Sequence, residues 1–362
     1  MRYHALAADY DGTLAHHGVI EDDTWAALRK LRESGRKLIM VTGRELDELL
    51  AILRGDVEVF DRIVAENGAV LYRPSTKQVR TLAEPPPAAF IDELRRRGVD
   101  RVAAGRVVVA TWEPHEDTVL RVIKELGLEL QVVFNKGAVM VLPSGINKAT
   151  GLQCALRELG LSPHNVVGIG DAENDHALLA ACECAVAVAN ALPALKDKAD
   201  VLTRSSHGQG VSELIGHLLR DDLAAAAPRL TRHHVLIGHS EGREISVDPY
   251  AANILVCGTS GSGKSTLATG ILERLGAAGY QFAILDPEGD FTEFEDGVVL
   301  GGPQRVPLVE EIVDVLRDPS NLVINMLGVA LEHRPEFFVK LMPAIADLRT
   351  RTGRPHWLVV DE

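Results

Sequence analysis

The sequence predicts an α/β protein in which two parallel-sheet domains follow one another along 362 residues. Three observations lead to this prediction. Residues 1–220 alternate short apolar runs with amphipathic stretches of helical period, the pattern of a parallel sheet covered by helices. Residues 73–143 interrupt that pattern and predict an inserted α+β subdomain. A glycine-rich loop at residues 258–266 lies between an apolar run and a helical stretch, which places it in a second α/β domain.

The elements of the first domain can be predicted in order. Its predicted strands span residues 4–8, 37–41, 62–65, 166–169 and 185–189, and its predicted helices span residues 25–34, 45–53, 148–159 and 173–181. The inserted subdomain is predicted to contain strands at 106–111, 130–134 and 138–142 around two helices. The first domain is therefore expected to comprise residues 1–72 and 144–220, with the insertion at 73–143.

A second domain is expected over residues 235–362, after a linker at 221–234 that is marked by an alanine run and Pro228. Its predicted strands span residues 253–257, 281–285, 322–325 and 357–360. At roughly 100–200 residues per domain, the chain length agrees with this division.

Composition narrows the class of function. Apolar residues make up 46% and charged residues 25% of the chain, as in soluble globular proteins. No apolar run reaches the roughly 20 residues that cross a bilayer, and the N-terminus has no signal-peptide pattern, so we expect a cytoplasmic protein without a membrane partner. The four cysteines are expected to be reduced thiols. A net charge of −13 disfavours nucleic-acid binding, because the protein as a whole repels phosphate groups, and only a local basic patch would bind them.

Two aspartates directly after the first predicted strand indicate a metal site. Asp9 and Asp11 are two residues apart, and in extended chain such residues share a face. Adjacent carboxylates repel one another unless a cation lies between them. Asp171 and Asp175, which follow another predicted strand, would complete a set of oxygen ligands that suits Mg²⁺. Each segment taken alone is also compatible with ordinary turn and helix-cap chemistry.

Four motifs in register carry a resemblance to a known family. They are Asp9-x-Asp11-Gly12-Thr13, Val41-Thr42-Gly43-Arg44, Asn147-Lys148-Ala149 and Gly170-Asp171-x-x-Asn174-Asp175. With the insertion between the second and third motifs, residues 1–220 resemble a haloacid dehalogenase superfamily phosphatase of the Cof-like subclass. The resemblance implies a Rossmann-like core and an α+β cap that closes over the site and selects a small phosphorylated metabolite, such as a sugar phosphate or phosphoglycolate.

The resemblance also implies roles for individual residues. Asp9 would be the nucleophile that forms an aspartyl-phosphate, and Asp11 would serve as general acid and then general base. Thr42 would hydrogen-bond the phosphoryl oxygens, and Lys148 would neutralise charge. Mg²⁺ is assigned to Asp9, Asp171 and Asp175, with Asp11 as a further candidate ligand. Candidate substrate contacts are Gly43, Arg44, Asn67 and Asn174, and a merely structural role stays open for Arg44.

The glycine-rich loop matches the Walker A pattern of a phosphate-binding loop. Its candidate ATP-binding residues are Gly258, Ser260, Gly261, Ser262, Gly263, Lys264, Ser265 and Thr266. In that pattern the lysine reaches the β and γ phosphates and the following serine binds Mg²⁺. Asp361 and Glu362 end a predicted strand and resemble a Walker B pair that anchors Mg²⁺ and polarises water. Residues 286–291 resemble a signature of HerA-like and FtsK-like translocating ATPases.

Three readings stay open for the whole chain. The leading one is a metabolite phosphatase fused to an ATP-binding module; the others are a DNA-translocating ATPase with an accessory phosphatase, and a bifunctional phosphatase and kinase. Residues 234–362 hold 10 Lys and Arg against 19 Asp and Glu, a net charge of −9 that argues against a DNA-gripping surface. Because ATPases of this class continue past the Walker B strand, the chain is expected to be a piece of a longer protein or to carry a degenerate module, and ATP hydrolysis is left open.

Overall fold

The computed structural model describes residues 1–53, 56–250 and 253–361, and it confirms the predicted α/β class. The chain forms two compact units. The N-terminal unit comprises Tyr3–Leu159 and Pro163–Ala227, and the C-terminal unit is described mainly over residues 228–361. Among the described residues, no helix combines the length and the apolar character that a membrane span requires.

The N-terminal unit contains twelve strands and eight α-helices within the described residues. The strands are β1 (Ala5–Asp9), β2 (Lys37–Val41), β3 (Arg62–Ala65), β4 (Val70–Arg73), β5 (Gln78–Thr81), β6 (Ala103–Ala104), β7 (Val109–Trp112), β8 (Leu130–Asn135), β9 (Ala138–Pro143), β10 (Val166–Gly170), β11 (Cys184–Ala187) and β12 (Val201–Leu202). The helices are α1 (Asp22–Glu33), α2 (Leu46–Leu53), α3 (Ala88–Arg96), α4 (Glu116–Glu125), α5 (Lys148–Leu159), α6 (His176–Ala181), α7 (Pro193–Lys196) and α8 (His207–Asp221).

Eight of these strands form one sheet in the order β12-β11-β10-β1-β2-β3-β4-β5. The strands from β12 to β3 run parallel, whereas β4 and β5 add an antiparallel edge. Every residue of β1, β3, β10 and β11 is buried, as expected for strands covered by helices on both faces. The sheet therefore places the ends of β10, β1 and β2 next to one another.

The inserted subdomain, which we call the cap, is a four-stranded sheet of order β6-β7-β9-β8 with α3 and α4 packed on it. Its core contains Phe90 and Leu94 of α3 and Val119 and Val122 of α4. The predicted start of the insertion at residue 73 is too early. Residues 78–81 form β5, which pairs with β4 and so extends the core sheet rather than the cap.

The C-terminal unit holds β13 (Val235–Ser240), β14 (Arg243–Val247), β15 (Phe282–Asp286), β16 (Gly297–Gly301), β17 (Asn321–Asn325), β18 (Trp357–Val360), α9 (Lys264–Ala277), α10 (Val309–Arg317) and α11 (Arg334–Thr352). β13 and β14 form a hairpin, and the other strands form a parallel sheet of order β16-β17-β15-β18. Alternate residues of β15 face opposite cores: Leu285 packs with α10 and α11, and Phe282 packs with α9.

The strand predicted at residues 253–257 is wrong. These residues have no regular secondary structure, and the side chain of Leu255 is 88% exposed. A strand exists only where a neighbour takes up its backbone hydrogen bonds. Within the described residues no strand pairs with this segment. The edge strand β18 is hydrogen-bonded to β15 and has no strand on its other side. An apolar run indicates local propensity but does not supply the partner.

Candidate active site

The sheet topology of the N-terminal unit gathers the predicted catalytic residues at one edge. Asp9 is the last residue of β1, Thr42 directly follows β2, and Asp171 directly follows β10. β1 lies between the other two strands and is parallel to both. Carboxyl ends of adjacent parallel strands therefore meet here, which is the usual position of a binding crevice in such sheets.

Asp9 belongs to a buried ionic triad. Lys148, the first residue of α5, donates from Nζ to Asp9 Oδ1 and to Asp175 Oδ1, both at 2.6 Å. The second oxygen of Asp175 accepts the backbone amides of Asp171 and Ala172 at 2.9 and 3.0 Å. All three charged side chains are at most 5% exposed. Lys148 thus lies between two carboxylates that would otherwise repel one another.

Lys148 does not fully compensate the negative charge of the clustered carboxylates. Burial, and after it repulsion from Asp175, raises the pKa of Asp9 to about 8, although Lys148 acts in the opposite direction. Burial also raises the pKa of Asp171. The two aspartates are therefore held in an environment that favours either a bound proton or an additional cation.

The donor set fits a divalent metal ion. The carboxylates of Asp9, Asp171 and Asp175 offer oxygen atoms that all lie within 4.8 Å of one another, and all three residues are buried. Clustered carboxylate oxygens are the ligands that Mg²⁺ prefers. Thr13 donates to Asp171 Oδ1 at 3.3 Å, which fixes that carboxylate in position. Three of the four predicted metal ligands thus converge.

Asp11, the fourth predicted ligand, does not join them through its carboxylate. β1 ends at Asp9, so the alternation of faces that the sequence predicted does not extend to residue 11. The Asp11 carboxylate instead accepts two hydrogen bonds from Arg44, from Nε at 2.7 Å and from Nη2 at 2.8 Å. Because Arg44 is held by this bidentate pair and by Glu48, the structure gives it an ionic partner inside the protein.

The predicted substrate contacts line the same edge. Thr42 is fully buried, and its Oγ1 accepts the amide of Arg44 at 3.1 Å. Asn67, at a φ of 54°, accepts a hydrogen bond from Asn174 Nδ2 at 3.1 Å. Asn174 Oδ1 is buried without a hydrogen-bond partner among the described residues. A Cβ placed on Gly43 would lie 3.5 Å from Asn174 Nδ2, so this glycine faces the same pair.

The sequence assigned no role to three residues that complete the site. Asn190 donates to the carbonyl of Gly12 at 2.8 Å. Glu66, fully buried, accepts the amides of Arg106, Val107 and Val108 from the cap at 2.7–3.0 Å. Lys136 reaches Asp171 from the cap. The sequence predicts a turn at Lys136-Gly137, between two predicted strands, but it does not predict that this turn contacts Asp171.

The phosphate loop of the C-terminal unit is arranged around the start of α9. Lys264 is the first residue of this 14-residue helix, and its Nζ donates to the carbonyl of Gly258 at 3.3 Å. Gly263 has a φ of 90°, a conformation that favours glycine. The other predicted residues lie in the exposed loop or in the first helical turn: Gly258, Ser260, Gly261, Ser262, Ser265 and Thr266. A helix N-terminus after such a loop favours phosphate binding.

Of the other predicted residues of this unit, the structure describes Asp286 and Asp361 but not Glu362. Asp286, at the end of β15, is fully buried and accepts the amides of Gly289, Asp290 and Phe291 at 2.7–3.1 Å, so it shapes the loop that follows. Asp361 directly follows β18, and its amide donates to the carbonyl of Leu285 at 3.1 Å. Glu362 lies outside the described residues.

Comparisons with known proteins match both units. Residues 241–344 match the family model described as the central domain of the helicase HerA. Phosphoglycolate phosphatase of Methanothermobacter thermautotrophicus is 32% identical over 58% of this chain and 96% of its own length. Phosphoglycolate phosphatase 2 of Saccharolobus solfataricus is 28% identical over 59% of this chain and 91% of its own.

The fold of the N-terminal unit also has solved counterparts. Thermoplasma acidophilum 0175 aligns over 60% of this chain and 99% of its own, with a TM-score of 0.53 and 15% identity, which shows a shared fold. The haloacid dehalogenase-like hydrolase model matches residues 6–100 and 107–215, more than half of the chain. This chain therefore belongs to the haloacid dehalogenase-like hydrolase family.

Proposed function

We propose that the N-terminal unit is a Mg²⁺-dependent phosphatase that hydrolyses a small phosphorylated metabolite through an aspartyl-phosphate on Asp9. The observation that carries this proposal is the buried triad of Asp9, Lys148 and Asp175, with Asp171 beside it. Phosphoglycolate phosphatase relatives that are covered almost completely support the reaction class. The bound metal would supply positive charge that shields the phosphate from the attacking carboxylate.

In the first step, an oxygen of Asp9 attacks phosphorus and the ester oxygen leaves. Lys148 holds Asp9 at 2.6 Å and keeps positive charge beside the carboxylate as it forms the acyl phosphate. Asp11 gives a proton to the leaving oxygen, so the alcohol departs neutral. Thr42 and Asn174 line the position of the phosphoryl group, where buried polar atoms can hydrogen-bond its oxygens.

In the second step, water hydrolyses the aspartyl-phosphate. Asp11, now ionised, takes a proton from the water as it attacks phosphorus, and Asp9 leaves as a free carboxylate. Arg44 holds both carboxylate oxygens of Asp11 in the protein alone. Asp11 would therefore leave this pair to act first as acid and then as base at the reacting oxygens.

We propose phosphoglycolate or a sugar phosphate as the substrate class, because the cap contacts the core at α2 and at Asp171 and would limit access to small esters. Arg106 of the cap pairs with Asp47 of α2, and Lys136 of the cap reaches Asp171. Contacts of this kind hinder polymeric substrates. This arrangement disfavours the reading as a phosphatase and kinase acting on polynucleotide ends.

We propose that the C-terminal unit binds ATP at the loop before α9. The loop and helix geometry and the match to the HerA central domain support this proposal. The same match favours a second candidate function, a translocating ATPase with the phosphatase as an accessory. The net charge of −9 over residues 234–362 argues against that candidate, since DNA phosphates require a basic surface.

The deciding experiment measures phosphate release by the full chain, with and without Mg²⁺, from phosphoglycolate, sugar phosphates, nucleotides and ATP. Asp9→Asn and Lys264→Ala proteins run alongside. We expect release from one small ester that falls at least about 10³-fold in Asp9→Asn and changes less than about twofold in Lys264→Ala. Release from ATP alone, lost in Lys264→Ala, would refute the phosphatase proposal and favour the ATPase.

A further inference from the structure

The tip of one cap hairpin lies at the metal-binding edge of the core. β8 and β9 pair up to Asn135 and Ala138, so Lys136 and Gly137 alone form the turn. Both have positive φ, 50° and 84°, as a type I′ turn requires. Asn, Asp and Gly suit the first of these positions, and a lysine there is strained.

The Lys136 ammonium group is directed into the site. Its Nζ donates to Asp171 Oδ2 at 2.8 Å and to the backbone carbonyl of Asp11 at 3.0 Å. A Cβ on Gly12 would lie 2.5 Å from this Nζ, so the glycine leaves the space that the lysine occupies. The cap thus places a cation on one of the three clustered carboxylates.

The position of the cap is fixed elsewhere, which makes this contact specific. Glu66 of the core is fully buried and accepts three consecutive amides of the cap, those of residues 106–108. Hydrogen bonds to an ionised acceptor are stronger than neutral ones. This anchor holds the cap sheet against the core, and Lys136 extends from the same sheet.

Within the part of the chain that the structure describes, three cationic side chains contact the carboxylates of the site, and they differ in how firmly they are held. Lys148 lies buried between Asp9 and Asp175, and Arg44 binds both Asp11 and Glu48. Lys136 is 45% exposed and has Asp171 as its carboxylate partner. A divalent cation on Asp171 would compete with this ammonium for the same oxygens. Lys136 is therefore the cation most easily released toward a ligand.

We propose that Lys136 determines substrate specificity: it leaves Asp171 when a divalent metal binds there and pairs with a second anionic group of the substrate. The preferred substrates are then small phosphate esters that carry a carboxylate near the phosphate. This inference rests on the proposed phosphatase function. The phosphoglycolate phosphatase relatives act on an ester of this chemistry.

The test compares two esters of similar size in the full chain with Mg²⁺: phosphoglycolate, which has a carboxylate, and ethyl phosphate, which lacks one. Lys136→Met is expected to raise KM for phosphoglycolate about tenfold or more, the usual size of a lost charged contact, and to change kcat/KM for ethyl phosphate less than about twofold. Lys136→Arg should recover part of the loss. Lys124→Met, on an exposed cap helix position, is the matched control and should match the wild type on both esters.

A second readout does not depend on turnover. Binding of Mn²⁺, followed by its electron paramagnetic resonance signal, should tighten severalfold in Lys136→Met and stay unchanged in Lys124→Met, because a competing cation is removed. Equal losses on the two esters, or unchanged Mn²⁺ binding in Lys136→Met, would overturn the inference while the phosphatase function stands. A wild-type chain that hydrolyses neither these esters nor any other would overturn both.

Discussion

Two motif lysines in this chain stand in opposite surroundings. Lys148 of the N-terminal unit is 1% exposed and lies between two buried carboxylates at 2.6 Å from each. Lys264 of the C-terminal unit begins α9, next to an exposed loop, and its Nζ donates to the carbonyl of Gly258 at 3.3 Å. A motif identifies the chemistry in both cases. The neighbouring residues decide whether the site is already assembled in the protein alone.

The difference begins with the strand that precedes each motif. β1, which ends at Asp9, is buried between β10 and β2, and its backbone hydrogen bonds fix the direction of the chain after it. Residues 253–257, before the phosphate loop, form no strand. A paired strand holds its motif within narrow limits, and an unpaired segment does not. The two sites should therefore respond differently to the same substitution.

The largest difference is expected for the two lysines themselves. Lys148→Met leaves Asp9 and Asp175 buried without their counter-charge, and we expect a loss of about 3–5 kcal/mol in the stability of the N-terminal unit. Lys264→Met removes an ammonium from the partly exposed first residue of α9, and its cost should stay within about 0.5 kcal/mol. Hydrogen exchange read by mass spectrometry in urea reports both units in one sample. Equal losses of stability in the two variants would show that the burial of Lys148 does not make it more important for stability than Lys264.

The next prediction concerns pH. Because the pKa of Asp9 is raised from 3.8 to about 8, the folded state binds a proton more tightly than the unfolded state between these values. The stabilisation from this group is complete below about pH 4 and is lost as pH rises toward 8, by at most about 1.4 kcal/mol per unit. The melting temperature of the N-terminal unit without metal should therefore fall from pH 5 to pH 8.

Two controls separate Asp9 from other titrating groups. Asp9→Asn should reduce this pH dependence, since its amide does not titrate. Mg²⁺ at pH 8 should raise the melting temperature of the wild type by binding the folded state, and should raise that of Asp9→Asn much less. A pH dependence that is identical in both proteins would show that Asp9 is not its source.

Much of the N-terminal unit could be predicted from the sequence because local and long-range preferences agree there. β2, β3 and α5 have the bounds that their apolar patterns predict. The partners of Asp11 and the position of Lys136 could not be predicted, since Lys136 contacts Asp11 across 125 residues of sequence. The strand at 253–257 failed for the same reason: its apolar pattern is local, whereas strand formation depends on a distant partner.

A smaller effect is expected at the anchor of the cap. Glu66→Gln keeps one oxygen acceptor but loses the charge that three cap amides share, and we expect a cost of about 1–2 kcal/mol. The amides of residues 106–108 should exchange faster with solvent, and KM should rise more than kcat falls because the cap is held less firmly. Glu58→Gln, at an exposed position of the same unit, is the control. Unchanged exchange at residues 106–108 would show that the anchor does not hold the cap.

The smallest effect is expected for a substitution in residues 253–257, the segment that precedes the phosphate loop. Leu255→Ser replaces a side chain that is 88% exposed, so the C-terminal unit should lose less than about 0.5 kcal/mol. The matched substitution Leu285→Ser, at a position 1% exposed in β15, should cost several kcal/mol because it removes apolar contacts and buries a hydroxyl. Thermal unfolding of the two variants and the wild type measures both losses of stability. If Leu255→Ser proved as costly as Leu285→Ser, residues 253–257 would be a buried strand, and the phosphate loop would be held as firmly as Asp9 is.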